Sequence, residues 1–514
     1  MIRPRPLHAA LALVACAEGR DAGLGRPGDT SAAPWTDEGL LLTEPQRCDA
    51  PVPLAYRERG AEVGLAGATV PAAEHHHGGS AVVADLDADG DKDMVLGFPQ
   101  GPPVLYRWEG RGFVPELLPQ PAASFLLNLA DIDGDDDLDL LAAGYRVLPV
   151  VLANDGAGHF TPLTMPQLPV AGLRVRELSP GDVDDDGDVD LYALTNSGGA
   201  NPAEYTDFVL EGDGRGGFVV ATEHASAVGR GFDAVWTDVD ADDDVDVYVV
   251  NDDGADFGPN SLLRNEGGTL IADGDNCSCE LAHFGMGGDA ADPDGDGYPD
   301  LYLTAVAHNV LLRNLGDGTF VDTALATGAD PIASDANMGW GAVWLDHDND
   351  GVLDVLVAQG DRWFNGDPRY VFESPVNLLR GTQGGYTDVG PQLGLAQTGS
   401  FRGVVADDLN GDGVLDLLAT EVVARPKLYL SEGCTEAGWL RVEAPPHARV
   451  EVTAGGRTQI GWTTTESSFG GGHASFLHLG LGTSQTVEHL RIATRDGRTL
   501  EATSFEARRT VRVE

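Results

Sequence analysis

The chain has 514 residues, with 82 acidic side chains against 32 cationic ones and a formal net charge of −50. Such a surplus argues against nucleic acid and anionic membrane surfaces as partners. The length is enough for two or three domains.

From the N-terminus, Arg3 and Arg5 precede an apolar stretch, Ala9 to Ala15, too short to span a bilayer. Residues 1–16 therefore read as a bacterial export signal. Leu13-Val14-Ala15-Cys16 resembles the lipobox of bacterial lipoproteins, which would make Cys16 the lipidated residue; an ordinary signal peptide cleaved nearby is the alternative. The expected location is an outer-membrane lipoprotein, the cell surface or the periplasm. Residues 17–47, rich in Gly, Pro, Ala and Ser, read as a flexible tether.

A nine-residue acidic phrase then recurs seven times between apolar runs, starting at Asp85, Asp131, Asp182, Asp238, Asp292, Asp346 and Asp408. The starts lie 46 to 62 residues apart, the interval of one four-stranded propeller blade. Carboxylates about 4 Å apart repel by roughly 4 kcal/mol at an effective dielectric of ~20. A hard divalent cation with oxygen ligands removes that penalty, and the D-x-D-x-D-G spacing is that of a calcium loop. The expected ligands are Asp85, Asp87, Asp89, Asp91 and Asp93; Asp131, Asp133, Asp135, Asp137 and Asp139; Asp182, Asp184, Asp186, Asp188 and Asp190. They continue with Asp238, Asp240, Asp242, Asp244 and Asp246; Asp292, Asp294, Asp296, Tyr298 and Asp300. The last two sets are Asp346, Asp348, Asp350, Val352 and Asp354, then Asp408, Asn410, Asp412, Val414 and Asp416. At the seventh position of each loop the backbone carbonyl is the expected donor, so Tyr298, Val352 and Val414 qualify. Asn410 replaces a carboxylate with a weaker amide oxygen. Asp136 and Asp243 stand where a glycine makes the turn, and aspartate tolerates the left-handed region this requires. Up to seven calcium ions are expected; magnesium suits such a cage less because it resists full dehydration. The loops hold 34 of the 82 acidic residues, and solubility accounts for the rest of the charge.

The flanks are short aliphatic runs, Val82-Val83-Ala84 before the first loop and Met94-Val95-Leu96 after it, which read as strands. Farther on, Gly-rich turns lead into an aromatic at Phe160, Phe218 and Phe320, each a hairpin opening an outer strand. Strand order within a blade is then A, acidic loop, B, C, Gly turn, D. The seventh repeat lacks strand D, while Ala55 to Leu65 resembles Gly385 to Leu395, an outer strand with its exit. The N-terminal segment is therefore expected to complete the last blade and close the ring, which removes sheet edges. Four cysteines remain besides Cys16. Cys48 and Cys434 flank the array and could tie its ends; Cys277 and Cys279 either close a small ring or stay reduced. Past residue 434 the acidic loops stop, and 435–514 read as a small antiparallel β domain. The fold class is all-β: a seven-bladed propeller over 48–434 plus that domain.

The acidic loops, with Phe284-Gly285-Met286-Gly287 and Asn337-Met338-Gly339-Trp340-Gly341 leading into strand A, resemble FG-GAP/VCBS repeats as in the integrin α-subunit propeller. Gly438-Trp439-Leu440-Arg441-Val442, Leu477-His478-Leu479-Gly480-Leu481-Gly482 and Asp496-Gly497-Arg498 resemble the ASPIC/UnbV domain. The pairing is similar to that in bacterial relatives of cartilage acidic protein. Thr494-Arg495-Asp496-Gly497 departs from that family's W-P-D-G phrase, and the loop before Ala448 is short. The resemblance implies calcium binding and extracellular recognition.

Three functions compete. The first is a calcium-rigidified, non-catalytic recognition or adhesion module for an extracellular or envelope protein or glycan, expected to be a monomer. Its ligand face would be the D–A loops, with His76, Arg176, Arg230, Phe232, Trp340 and Arg402 converging as a funnel; packing of the central channel is the plainer reading of the aromatics. The second is a calcium-dependent polysaccharide lyase or hydrolase, although the chain contains no G-x-S-x-G, H-E-x-x-H or P-loop phrase. The third is a scaffold of an envelope assembly.

Overall fold

The computed structural model describes residues 35–37, 39–48, 51–68, 79–98, 101–118, 126–144, 148–168, 174–196, 206–222, 224, 226–331, 337–361, 373–422, 424–432, 434–466, 469 and 471–514. The export signal, Cys16 and His76 lie outside these residues.

Each acidic repeat ends one strand and begins the next. In the fourth repeat Arg230–Thr237 pairs antiparallel with Asp246–Asp252, then Ser261–Asn265 and Leu270–Ala272 follow in order. The same four-strand order occurs over 81–117, 126–162, 175–220, 285–322 and 337–388. The last blade takes Phe401–Asp407, Asp416–Glu421 and Lys427–Ser431 from one end of the array and Tyr56–Glu58 from the other. Tyr56 lies opposite Ser431 and Glu58 opposite Tyr429, so the closing strand is the expected one. Strand A of the last blade packs on strand A of the first, and Thr420 Oγ1 donates to the Gly79 carbonyl at 2.6 Å. The array is a closed ring of seven blades.

Apolar layers between neighbouring blades hold the ring. One such cluster joins Val82, Leu86 and Val95 of the first blade to Leu129, Leu140 and Phe160 of the second. A polar device adds to them. Asn154, Asn265 and Asn314 each send their amide across to the preceding blade, onto the carbonyls of Leu86, Val183 and Val239 at 2.9, 2.7 and 2.7 Å. Both cysteine pairs are disulfides: Cys48–Cys434 straddles the closure, and Cys277–Cys279 forms the small ring.

The C-terminal segment differs from expectation in three ways. It is not purely antiparallel, because Gly438–Glu443 pairs parallel with Arg509–Val513. Nor is it a separate body: Gly472 and His473 pair parallel with Val82 and Val83, so its sheet runs on into the first blade. And it borrows strands from the segment read as a tether, since Trp35–Thr36 pairs with Thr499–Glu506 and Leu40–Leu42 with Arg509–Val513. The signal for those two short strands was masked by the Gly, Pro and Ser around them. The core of the module is the cluster of Val450, Val452, Leu490, Ile492, Phe505 and Val511.

Candidate metal centres and the filled channel

Within each acidic loop three carboxylates have distinct duties. The first collects the loop's own N–H groups: Asp292 Oδ1 accepts from Gly295 and Asp296 at 2.7 and 3.1 Å, and Oδ2 from Gly297 at 2.8 Å. The fifth accepts from the seventh residue, as Asp296 does from Tyr298 at 3.0 Å. The ninth ties the loop to strand C. Asp246 accepts from Val239 N at 2.9 Å and Asn265 N at 2.7 Å, and Asp139 does the same with Ile132 and Asn154. Asp136 and Asp243 hold the left-handed turn position, with φ of 69° and 74°.

These bonds aim the remaining oxygens inward. Asp85, Asp87 and Asp89 bring ligand atoms within 4.8 Å of one another, as do Asp131, Asp133 and Asp139, Asp182, Asp184 and Asp190, and Asp238, Asp240 and Asp246. Burial pushes Asp93 up to about 6, Asp139 and Asp190 to about 7, and Asp246 and Asp300 to about 8. One oxygen each of Asp85, Asp87, Asp133, Asp182, Asp240 and Asp348 is buried and has no hydrogen-bond donor among the described residues. An oxygen-only, anionic and convergent donor set of this kind fits a hard divalent cation. The seventh-position carboxylates are spent elsewhere in at least one loop: Asp244 Oδ2 accepts from Gly267 N at 2.8 Å, outside the cluster.

Two loop contacts go beyond the D-x-D-x-D-G spacing. Strand C supplies an arginine to the third carboxylate, with Arg107–Asp87 at 2.9 Å, Arg264–Asp240 at 2.7 Å and Arg380–Asp348 at 2.7 Å. The signal was present as a recurring Leu-Arg before the turn, at Leu263-Arg264, Leu312-Arg313 and Leu379-Arg380. In the sixth loop His347 joins Asp348 and Asp354, its Nδ1 bonded to Asp354. The equivalent position is aliphatic in the first four loops, so no spacing rule singles it out.

The expected ligand funnel is a packed core instead. Register shifts near the start of strand A occur at Val175/Glu177, Gly231/Asp233, Gly285/Gly288, Gly339/Ala342 and Phe401/Val404. Bulges bend a strand and re-aim side chains, and the bulged residues include Arg176, Phe232, Met286, Trp340 and Arg402. Arg176, Phe232, Trp340 and Arg402 are 1%, 3%, 4% and 1% exposed. Arg176 stacks on Phe232 at 3.5 Å and Arg402 on Trp340 at 3.9 Å. Between them stands Phe469 of the C-terminal segment, fully buried, with ring centroids 5.9 Å from Phe232 and 5.3 Å from Trp340. Gly287 and Gly403 leave room for its backbone: a Cβ on either would lie 3.2 or 3.3 Å from Phe469. Of the described members of the expected group, Arg230 alone stays outside this core, ion-paired with Asp253 and stacked on Phe257 at 3.7 Å.

The same segment covers the acidic loops. His478 Nε2 meets Asn349 Oδ1 at 2.7 Å, and Arg457 donates to the Gly351 carbonyl at 2.6 Å. Arg495 pairs with Asp185. Arg441 reaches Asp407 at 2.6 Å; burial alone would raise that carboxyl, but Arg441 and Lys92 hold it well below the usual range.

The architecture defines a seven-bladed propeller of acidic-loop repeats whose loop face carries a β module. Residues 85–142, 131–193 and 292–357 match the FG-GAP-like repeat, and 447–514 match the ASPIC and UnbV domain; the chain carries both. It is 25% identical to cartilage acidic protein 1 of Xenopus tropicalis over 323 residues, which is 58% of this chain and 48% of that protein. It is 22% identical to cartilage acidic protein 1 of Mus musculus over 456 residues, 73% of this chain and 69% of that one. The chain thus spans about half the length of the Xenopus relative. Among solved structures it is similar to the BP39L lectin of Burkholderia pseudomallei, at a TM-score of 0.45 and 12% identity, covering 69% of this chain and 96% of the lectin.

Proposed function

We propose that the protein is a calcium-stiffened, non-catalytic recognition or adhesion module that works outside the cytoplasm. The observation that carries this reading is the set of buried, donor-less carboxylate oxygens at the first or third loop position in five of the blades, among the described residues. A bound calcium ion would supply the missing positive charge at each loop. The protein's own part is to hold strands A and B at the loop and to fix the inward oxygens through their backbone bonds. Two disulfides favour an oxidising compartment, and anchoring through Cys16 belongs to the same reading. The conspicuous carboxylates are engaged in the loops, which favours binding over hydrolysis.

Thermal unfolding tests the metal. Sites with Kd of ~10⁻⁴ to 10⁻³ M, as in extracellular modules, each add about 0.4 to 1.4 kcal/mol at about 1 mM free calcium, and the shares of several loops sum. Millimolar calcium should therefore raise the Tm by many degrees, chelation should reverse it, and equimolar magnesium should do much less. An unmoved Tm sinks the metal reading. Calcium-dependent capture of a partner from cell-envelope or matrix extracts, lost on chelation, tests recognition.

A further inference from the structure

A cavity of about 620 Å³ opens between the fourth blade's acidic loop and the sheet of the C-terminal module. Its size lies in the ~300–1,000 Å³ range of small-ligand sites. One wall is a flat patch of sheet. Arg449 lies opposite both Trp462 and Ala493 in the strand register, and Arg491 lies opposite Glu451 two residues along, so these residues share a face. The facing wall is the loop containing Asp243 and Asp244.

The charges here are unusual for this molecule. Arg449, Arg491, Arg495 and Arg498, four of only 32 cationic residues in the chain, converge on one cavity. Glu451 serves two of them, bonding Arg449 and lying 3.3 Å from Arg491, while Arg498 pairs with Asp496 at 2.6 Å and Arg495 with Asp185. Arg495, whose side chain is 14% exposed, keeps a buried Nε that donates to nothing among the described residues. Guanidinium forks match the planar geometry of carboxylate and the oxygens of sulfate. Trp462 offers an aromatic face to apolar C–H groups. The exposed carboxylate of Asp243 can accept from hydroxyls. Guanidinium, aromatic face and hydroxyl acceptor together describe a polyhydroxylated anion with a ring. A purely acidic peptide would meet the loop's own carboxylates and gain nothing from them.

We infer that this cavity binds an acidic oligosaccharide, carrying uronate carboxylates or sulfates, with Trp462 against a sugar ring and Arg449 and Arg491 on its anionic groups. The inference rests on the recognition reading above and gives it a location and a ligand class.

The test is calorimetric titration of the full chain in calcium with four probes: an oligogalacturonate, a heparin-derived hexasaccharide, cellohexaose and polyglutamate. Either acidic sugar, or both, should bind, and which one does separates carboxylate from sulfate recognition. Trp462→Ala and Arg491→Gln should each weaken that binding about tenfold or more, equivalent to about 1.4 kcal/mol. The Arg491 side chain is 34% exposed, so its variant keeps the test alive if Trp462→Ala misfolds. Equal affinity in wild type and Arg491→Gln overturns the cavity while leaving recognition standing. Tighter binding of cellohexaose or polyglutamate overturns the ligand class. No acidic sugar bound by a protein that still responds to calcium overturns the inference, whereas partner capture then decides the wider reading separately.

Discussion

Asp246 and Asp133 are both aspartates of an acidic loop, at its ninth and third positions, yet their substitution should do opposite things. Asp246 is fully buried and satisfies two backbone donors. Asp246→Ala leaves both N–H groups without acceptors and should cost about 3 kcal/mol even without calcium, measured by chemical denaturation. Asp133 carries a donor-less buried oxygen and repels its neighbours, so its carboxyl is pushed up by burial and by Asp135 and Asp131. Asp133→Asn should leave the calcium-free Tm unchanged or higher and weaken calcium binding. The sequence announced the positions of all these carboxylates but not the division of labour among them. Spacing encodes which residues converge; it does not encode which oxygen faces a backbone N–H on strand C, because that donor sits 14 to 27 residues farther along. Asp136 and Asp243 were legible because a left-handed turn leaves few residue choices.

At the scale of strands, the bulges and the plug form one unit. The Gly-aromatic phrases before strand A were visible, and their position at the ring's inner end was predictable. Their partner was not. Phe469 lies in a Ser-Ser-Phe-Gly-Gly-Gly stretch with no periodicity, more than 60 residues beyond the nearest bulge. Phe469→Ala should cost about 3 to 5 kcal/mol, the usual range for a buried aromatic, and should loosen the C-terminal module before the ring. Hydrogen exchange would show this as early loss of protection in Gly438–Glu443 and Gly472–Gly482. The histidines of that interface add a pH dependence. Burial lowers His447 and His473 to about 4 and His478 to about 3, with Arg495 acting on His447, and Arg441 and Asp407 in opposition on the other two. Between about pH 4 and the unfolded value near 6.5 the unfolded chain binds more protons, so their contribution to stability rises with pH there and is flat above. His473→Gln should therefore lose less stability than wild type between about pH 7 and about pH 4.5, followed by denaturant titration at each pH.

For the molecule as a whole, ring closure was readable from the ends inward. A missing strand D and a stray copy of one at residue 55 left a single consistent arrangement, and Cys48 and Cys434 fell on either side of it. The disulfide closes a loop spanning a separation of 386 residues, which by loop-closure entropy is worth up to about 6 kcal/mol. Cys48→Ser with Cys434→Ser should lower the Tm and broaden the transition, read by calorimetry. What the sequence hid was the placement of the module, because neither Arg457 nor His478 carries any mark of the loop it will meet. Surface complementarity between two distant segments has no local signature.

The path of the first described residues bears on mechanics. The chain enters through two strands of the module, Trp35–Thr36 and Leu40–Leu42, reaches the bridge at Cys48, and only then supplies the closing strand at Tyr56. Tension applied upstream of Trp35 is met first by those strands and next by a covalent link to Cys434, which diverts the load around the propeller. A protein held by its N-terminus and tugged by a captured partner would keep its ring shut under force that strips the strands away.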